Sequence, residues 1–157
     1  MKPTLKVVSM DELSPLITGL IKSGTDVTFT VRGVSMQPTF RHLRDTVVLT
    51  DCEPENLKKG QIPLYLRENG KYILHRIIKV NENTYDMCGD HQTEVEKDVP
   101  KSSVLCVVKG FTRKGKYHDC NEKSYKIYSY LWMLTRPLRN FMFFIHRLPK
   151  KLFKREK

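Results

Sequence analysis

Two segments of the chain hold the residue types that nucleophilic hydrolysis needs. Ser35 lies in Val31-Arg32-Gly33-Val34-Ser35-Met36-Gln37-Pro38-Thr39-Phe40, directly after a short alternating stretch and inside a turn made by Gly33 and Pro38. Forty residues later, Tyr72-Ile73-Leu74-His75-Arg76-Ile77-Ile78 places a histidine inside an apolar run. A serine hydroxyl is a weak nucleophile until a neighbouring base takes its proton. Neutral imidazole is such a base at pH 7 and needs less desolvation than a lysine base would. Each residue also has a plain reading. Ser35 is then an ordinary turn serine, and His75 a satisfied histidine on an apolar strand.

The two segments together carry more than either alone. Gly33-Val34-Ser35-Met36-Gln37-Pro38-Thr39 resembles the serine box of the superfamily of type I signal peptidases and LexA-type self-cleaving repressors. Leu74-His75-Arg76-Ile77-Ile78 and Gly89-Asp90 resemble, in order, its boxes for the general base and the aspartate. The likeness runs from about residue 26 to about residue 113. Histidine in place of lysine resembles the archaeal, endoplasmic-reticulum and certain Gram-positive signal peptidases. The resemblance implies a catalytic set of Ser35, His75 and Asp90, with Ser35 as nucleophile and His75 as general base. The backbone N–H of Ser35 would serve the oxyanion hole, and Gly33 offers no additional hydroxyl there.

The third member stays open between two carboxylates. Asp90 follows Gly89, and its plain reading is a turn cap or a structural partner for Arg76. In histidine-type relatives a second acid a few residues further on competes for the role, and Glu96 is the nearest match among Glu94, Glu96 and Asp98. Gly60-Gln61-Ile62-Pro63 departs from the family's usual Gly-Asp-Ile-Val. Pro63 inside a strand points to a sheet edge. His42, His91, His118 and His146 are rival bases without a matching context.

These groups need rigid elements to hold them. Ser14-Pro15 reads as the start of a short amphipathic helix that uses Leu13, Leu16, Ile17, Leu20 and Ile21 and ends at Gly24. Residues 26–32 alternate as a half-buried strand. Residues 46–50, 62–67, 72–80, 84–88 and 103–111 also read as strands. Glu68-Asn69-Gly70-Lys71 reads as a hairpin turn with Asn-Gly supplying positive φ values. His75 should share a strand face with Ile73 and Ile77. The expected architecture is mainly β, a signal-peptidase/LexA-like folded sheet or barrel with a short N-terminal helix and a basic helical tail.

Charge divides the chain. Residues 1–108 carry 14 basic and 14 acidic residues, whereas residues 109–157 carry 14 basic and 3 acidic, so the second segment holds the whole net charge of +11. The expected division is a β domain over residues 1–121 and a basic amphipathic tail over residues 122–157. In the tail Ile127, Leu131, Leu134, Leu138, Phe141, Ile145, Leu148 and Leu152 recur at helical spacing. Pro137 should kink or split this helix, and Pro149 should end its last regular turn. Arg136, Arg139, Arg147, Lys150, Lys151, Lys154 and Arg155 supply charge. Such a segment suits an anionic membrane surface. The alternative is a helix packed on the domain with a solvated basic face.

Cys52, Cys88, Cys106 and Cys120 have neither zinc-site nor disulfide spacing, and Cys88 and Cys106 read as buried thiols. With no phosphate loop and no metal-ligand cluster, no cofactor or metal is expected, and nucleic acid is not favoured. No signal peptide or transmembrane span is legible, so a cytoplasmic or peripheral membrane location is expected. The expected partners are a peptide or preprotein substrate and an anionic membrane surface. The expected function is a bacterial serine peptidase working through an acyl-enzyme. A non-catalytic peptide-binding or regulatory module on the same fold is the runner-up. A repressor-like autoprotease is disfavoured by the absence of a helix-turn-helix and of a lysine base.

Overall fold

The computed structural model describes residues 10–138 and residue 141. The fold is mainly β, with nine strands and two helices among these residues. Helix α1 (Met10–Lys22) precedes β1 (Val27–Thr30) and β2 (Thr46–Thr50). Strands β3 (Pro63–Leu66), β4 (Tyr72–Leu74), β5 (Arg76–Val80), β6 (Thr84–Cys88), β7 (Glu96–Pro100), β8 (Val104–Arg113) and β9 (Lys116–Asp119) follow, and α2 spans Lys123–Leu134. A curled six-stranded sheet runs in the order β1-β2-β8-β3-β4, with β9 paired to β8. The remaining strands form a second sheet, β5-β6-β7.

Alternation explains how one chain serves two cores. In β3, Leu64 joins a cluster with Ile17, Ile21, Phe40, Val47, Leu49 and Phe111, whereas Tyr65 joins a second cluster with Ile77, Tyr85, Met87 and Val99. Successive strand residues point to opposite faces, so β3 separates the two clusters and is buried on both sides. The ten-residue β8 also serves both, giving Cys106 and Val108 to the first cluster and Val104 and Val107 to the second, with a register shift between Val104 and Cys106 interrupting the alternation. Cys88 and Cys106 are buried as expected, and none of the four cysteines is in a disulfide.

Several expectations need correction. The first helix begins at Met10, not at Ser14-Pro15. The strand expected over residues 72–80 breaks at His75: β4 pairs with β3 in the first sheet, and β5 pairs with β6 in the second. Alternation continues across the break, which is why it is invisible to a pattern search. Ile73 and Ile77 do both face the second cluster. In the β3–β4 turn only Gly70 has positive φ, at 76°, and Asn69 does not.

Pro63 does not mark an edge. Strand β3 lies between β8 and β4. Pro63 is its first residue, where pairing with β8 has begun and pairing with β4 starts only at Leu64. The missing N–H is therefore not called on. Strands β7 and β9 have no counterpart among the expected strands. Glu96-Lys97-Asp98-Val99-Pro100 is too charged to look like a strand. The β8–β9 hairpin turns on Lys114 and Gly115, both at positive φ, and a lysine there is a weak turn signal.

Candidate active site

Ser35 sits in the connection between β1 and β2, which is fastened at several points. Val31 N–H donates to Asp45 O at 2.9 Å and Leu43 N–H to Val31 O at 2.8 Å, continuing the ladder beyond β1. The Gly33 N–H donates to His42 Nδ1 at 2.9 Å. Arg113 reaches the carbonyls of Pro38 and Thr39 from the end of β8. Val31 before Ser35 and Met36 and Phe40 after it are anchored in the first core, at 5%, 3% and 0% exposure, so the loop is tethered on both sides of Ser35. The Gln37–Pro38 bond is cis.

The loop lies against the end of β6. The Ser35 carbonyl accepts the His91 N–H at 2.8 Å. A Cβ on Gly89 would come within 2.6 Å of that carbonyl, a separation real Cβ atoms do not show, so the close approach requires glycine at 89. Cys88 pairs with Arg76 across β5–β6, and His75 immediately precedes Arg76. Strand pairing thus brings Ser35 and His75 to the same end of the β5–β6 pair. Among the described residues neither the Ser35 hydroxyl nor its backbone N–H makes a hydrogen bond, and Ser35 is half-buried. Both groups are free to meet a substrate carbonyl.

His75 is 4% exposed and occupies the break between the two sheets. Its Nδ1 lies 3.3 Å from the Tyr65 hydroxyl and 4.0 Å from Glu96 Oε2. The Tyr65 hydroxyl donates to Glu96, which Arg67 also grips, with Nε at 2.7 Å from Oε1. Since the Tyr65 proton points to Glu96, the tyrosine oxygen is the acceptor left for Nδ1–H. That assigns the proton to Nδ1 and the lone pair to Nε2. Among the described residues Nε2 has no hydrogen-bond partner, and it is not one of the polar atoms sealed from solvent.

Burial pushes the His75 pKa down to about 4; the Arg67 charge adds to this, and Glu96 and Asp90 oppose it. Burial raises the Glu96 carboxyl, but the bonds from Arg67 and Tyr65 outweigh it and hold its pKa below the ordinary value. His75 is consequently neutral at pH 7, the form a general base must have.

Asp90 has different company. Arg76 Nε donates to its Oδ1 at 2.8 Å and Nη2 to its Oδ2 at 2.7 Å, and the Thr39 hydroxyl also donates to Oδ2. Arg76 is 1% exposed; Nη1 reaches the Gly60 carbonyl at 2.9 Å and Ser129 Oγ, on α2, at 2.6 Å. Asp90 therefore sits where the structural-partner reading puts it, while Glu96 is the carboxylate beside the imidazole. Glu94 and Asp98 are elsewhere: the Glu94 carbonyl accepts the Cys88 thiol, and Asp98 lies 3.4 Å from Thr84 Oγ1. Among the rival histidines, His42 holds the Gly33 turn and His118 stacks on Phe111. His146 lies outside the described residues.

Tyr65 and Arg67 are the site residues that sequence reasoning missed. The signal was available in the hairpin. With Tyr65 opposite Ile73 and Leu66 opposite Tyr72, positions 65, 67, 73 and 75 share one face, and Tyr65 is the diagonal neighbour of His75.

Burial pushes the thiols of Cys52 and Cys120 up to about 11 and that of Cys106 to about 12, so none of these three is a thiolate nucleophile at neutral pH. Among the described residues no group of three His, Cys, Asp or Glu side chains could hold a metal ion, and no helix is long and apolar enough to cross a membrane. Compared with known proteins, the chain matches no family model, and no curated protein aligns with it significantly.

Proposed function

We propose that this protein is a serine endopeptidase of the signal-peptidase type, with Ser35 as nucleophile and His75 as general base. The observation that carries the reading is the state of His75. It is a buried, neutral imidazole, tethered at Nδ1 through Tyr65 to Glu96, with Nε2 unspent at the end of the β5–β6 pair where the unspent Ser35 hydroxyl also lies.

In the first half-reaction Ser35 Oγ bonds to the scissile carbonyl carbon as Nε2 takes the hydroxyl proton. The oxyanion is held by the Ser35 N–H. The C–N bond then breaks, and His75 gives the proton to the departing amine. In the second half-reaction His75 takes a proton from water as the water oxygen attacks the ester. Collapse releases the acid, and the proton returns to Ser35 Oγ. Tyr65, held by Glu96, fixes the tautomer, and the Glu96 carboxylate favours the imidazolium while Arg67 opposes it and holds Glu96 in place, so in this mechanism Glu96 replaces Asp90 as the third member. Edge strands β1 and β4, each paired on one side, lead directly into the Ser35 loop and into His75. An extended peptide or preprotein added to either edge would pass the reacting groups.

One observation favours the runner-up, a non-catalytic peptide-binding module: no hydrogen bond joins Ser35 to His75 in this structure. Catalytic hydrogen bonds often tighten only when substrate is bound. Labelling separates the two readings. An active-site serine phosphonylating probe should add one adduct to the full-length protein, mapped to Ser35 by peptide mass spectrometry and lost in both Ser35→Ala and His75→Ala. Labelling that is absent, or that persists in His75→Ala, overturns the peptidase assignment.

A further inference from the structure

Helix α2 is amphipathic in the opposite sense to a helix that simply covers a core. Its inward face presents Tyr125 and Ser129, buried, with Tyr128 and Trp132 half-buried. Those groups are polar or have polar tips, and Tyr125, Tyr128 and Ser129 serve the Arg76–Asp90 cluster: Ser129 accepts from Arg76 at 2.6 Å, the Tyr125 hydroxyl lies 3.4 Å from Arg76, and the Tyr128 hydroxyl lies 3.0 Å from Thr39 Oγ1. The outward face presents Ile127, Tyr130, Leu131 and Leu134, and Leu138 and Phe141 follow at the same spacing, all between 50% and 63% exposed. Helical regularity breaks at Thr135, just before Pro137, with helical residues resuming at 136–138. The stripe predicted from sequence is real over these residues, but it faces away from the protein. Ile145, Leu148 and Leu152 lie outside the described residues.

Charge accompanies the stripe. Lys123 and Lys126 are exposed on the same helix. On one flank a cavity of about 680 Å³ opens between α2 and the sheet, lined by Lys58, Lys59, Lys109 and Lys126 together with Tyr130 and Met133. Glu53 is the one carboxylate among its described lining residues, and Lys109 is paired with Asp26. A smaller cavity of about 260 Å³ continues along the helix past Lys59 and Met133 to Arg136. The sequence beyond residue 141 adds Arg147, Lys150, Lys151, Lys154, Arg155 and Lys157 against one acid, Glu156.

We propose that the outward stripe of α2 and the lysine-lined cavity on its flank form a docking surface for an anionic lipid bilayer. The inner face is already occupied by the domain, so α2 can meet a membrane only side-on. Its apolar residues would then sit among the acyl chains, with the lysines at the level of the phosphates. A second copy of the chain is the less suitable occupant. A two-fold contact through this patch sets Lys123, Lys126 and their neighbours against themselves, whereas anionic headgroups neutralise them. The proposal is independent of the role of Ser35. It places the membrane one helix away from the catalytic loop, since Tyr128 touches Thr39, four residues after Ser35.

The test uses the full-length protein and vesicles of phosphatidylcholine alone or in equal parts with phosphatidylglycerol. Trp132, the chain's single tryptophan, reports from α2 itself. Co-sedimentation and a change in Trp132 emission should appear with the anionic vesicles at low salt and fade as salt is added. Leu131→Asp with Leu134→Asp alters two solvent-facing positions and should lower partitioning by roughly tenfold or more. If that variant loses its native circular dichroism, Ile127→Asn is the substitute. Lys58→Glu with Lys59→Glu should also cost roughly tenfold or more, since each basic residue near the surface contributes about fivefold. Wild-type protein that ignores anionic vesicles at low salt overturns the proposal. So do folded variants that bind as well as wild type, or a solution dimer that Leu131→Asp dissolves while vesicle binding is unchanged.

Discussion

His75 and Arg76 are adjacent, and each is a buried side chain that anchors a polar cluster, wholly buried around Arg76 and half-buried around His75, but the two clusters are finished differently. Arg76 faces Asp90, Thr39, Gly60 and Ser129, and its guanidinium is spent on them. Burial works against its charge, yet the Asp90 bonds outweigh burial and hold its pKa above the ordinary value. His75 faces Tyr65, Glu96 and Arg67 and keeps one nitrogen unspent. The difference separates structure from chemistry. A closed cluster can only hold elements together, here β5, the Gly89-Asp90 turn, the Ser35 loop and α2. A cluster with one open valence can also accept a proton.

The largest expected effect comes from breaking the closed cluster. Arg76→Met leaves Asp90 as a buried carboxylate without its cation and should cost about 3–5 kcal/mol of stability. Urea unfolding measures this, and the Arg76→Met, Asp90→Asn double variant should recover part of the loss because the orphaned charge is gone. If Arg76→Met unfolds at the wild-type midpoint, the cluster is not structural.

The second effect belongs to the open cluster and to pH. The His75 pKa is depressed in the folded state from 6.5 to about 4. The unfolded chain therefore takes up the proton first as pH falls. The stability that His75 contributes is fully present above pH 6.5 and is lost between there and about pH 4. The loss amounts to about 3 kcal/mol. Unfolding free energies measured across that window should fall less steeply in His75→Gln. Equal slopes in the two proteins would mean that His75 titrates normally. The same shift moves the acid limb of kcat/KM below the usual histidine range, so a rate constant across pH 5 to 8 is compatible with an imidazole base here.

The smallest effect decides between the two carboxylates. Glu96 raises the His75 pKa and fixes Nδ1–H through Tyr65, so Glu96→Gln should move the acid limb of kcat/KM to still lower pH and reduce the rate roughly tenfold, the worth of about one hydrogen bond to a charged group. Asp90→Asn should lower stability more than it moves the limb. If Asp90→Asn shifts the limb and Glu96→Gln does not, the roles assigned to the two acids are reversed.

Much of the scaffold was legible because it follows from short-range rules. Strands Thr46–Thr50 and Thr84–Cys88 lie where the sequence reads as strand, and the Gly70 turn lies where Asn-Gly stands. Ser35 and His75 could be singled out from residue type and local context. What could not be read was anything that depends on which element lies beside which. The alternation through residues 72–80 is the same for one strand as for two strands that part at His75. Asp90 and Glu96 both lie in the segment after His75, and only the pairing of β5, β6 and β7 aims one at Arg76 and the other at Tyr65.

Helix α2 shows the division most plainly. Side-chain chemistry and the helical period together determined which residues form an apolar stripe, because 3.6 residues per turn puts them on one side whatever surrounds them. They did not determine whether that side faces in or out. Only the tertiary structure decided that, by placing a buried guanidinium under the helix. Arg76 needs hydrogen-bonding partners away from water, and Ser129 and Tyr125 meet that need better than leucines would. The polar face was drawn inward, and the apolar face was left at the surface.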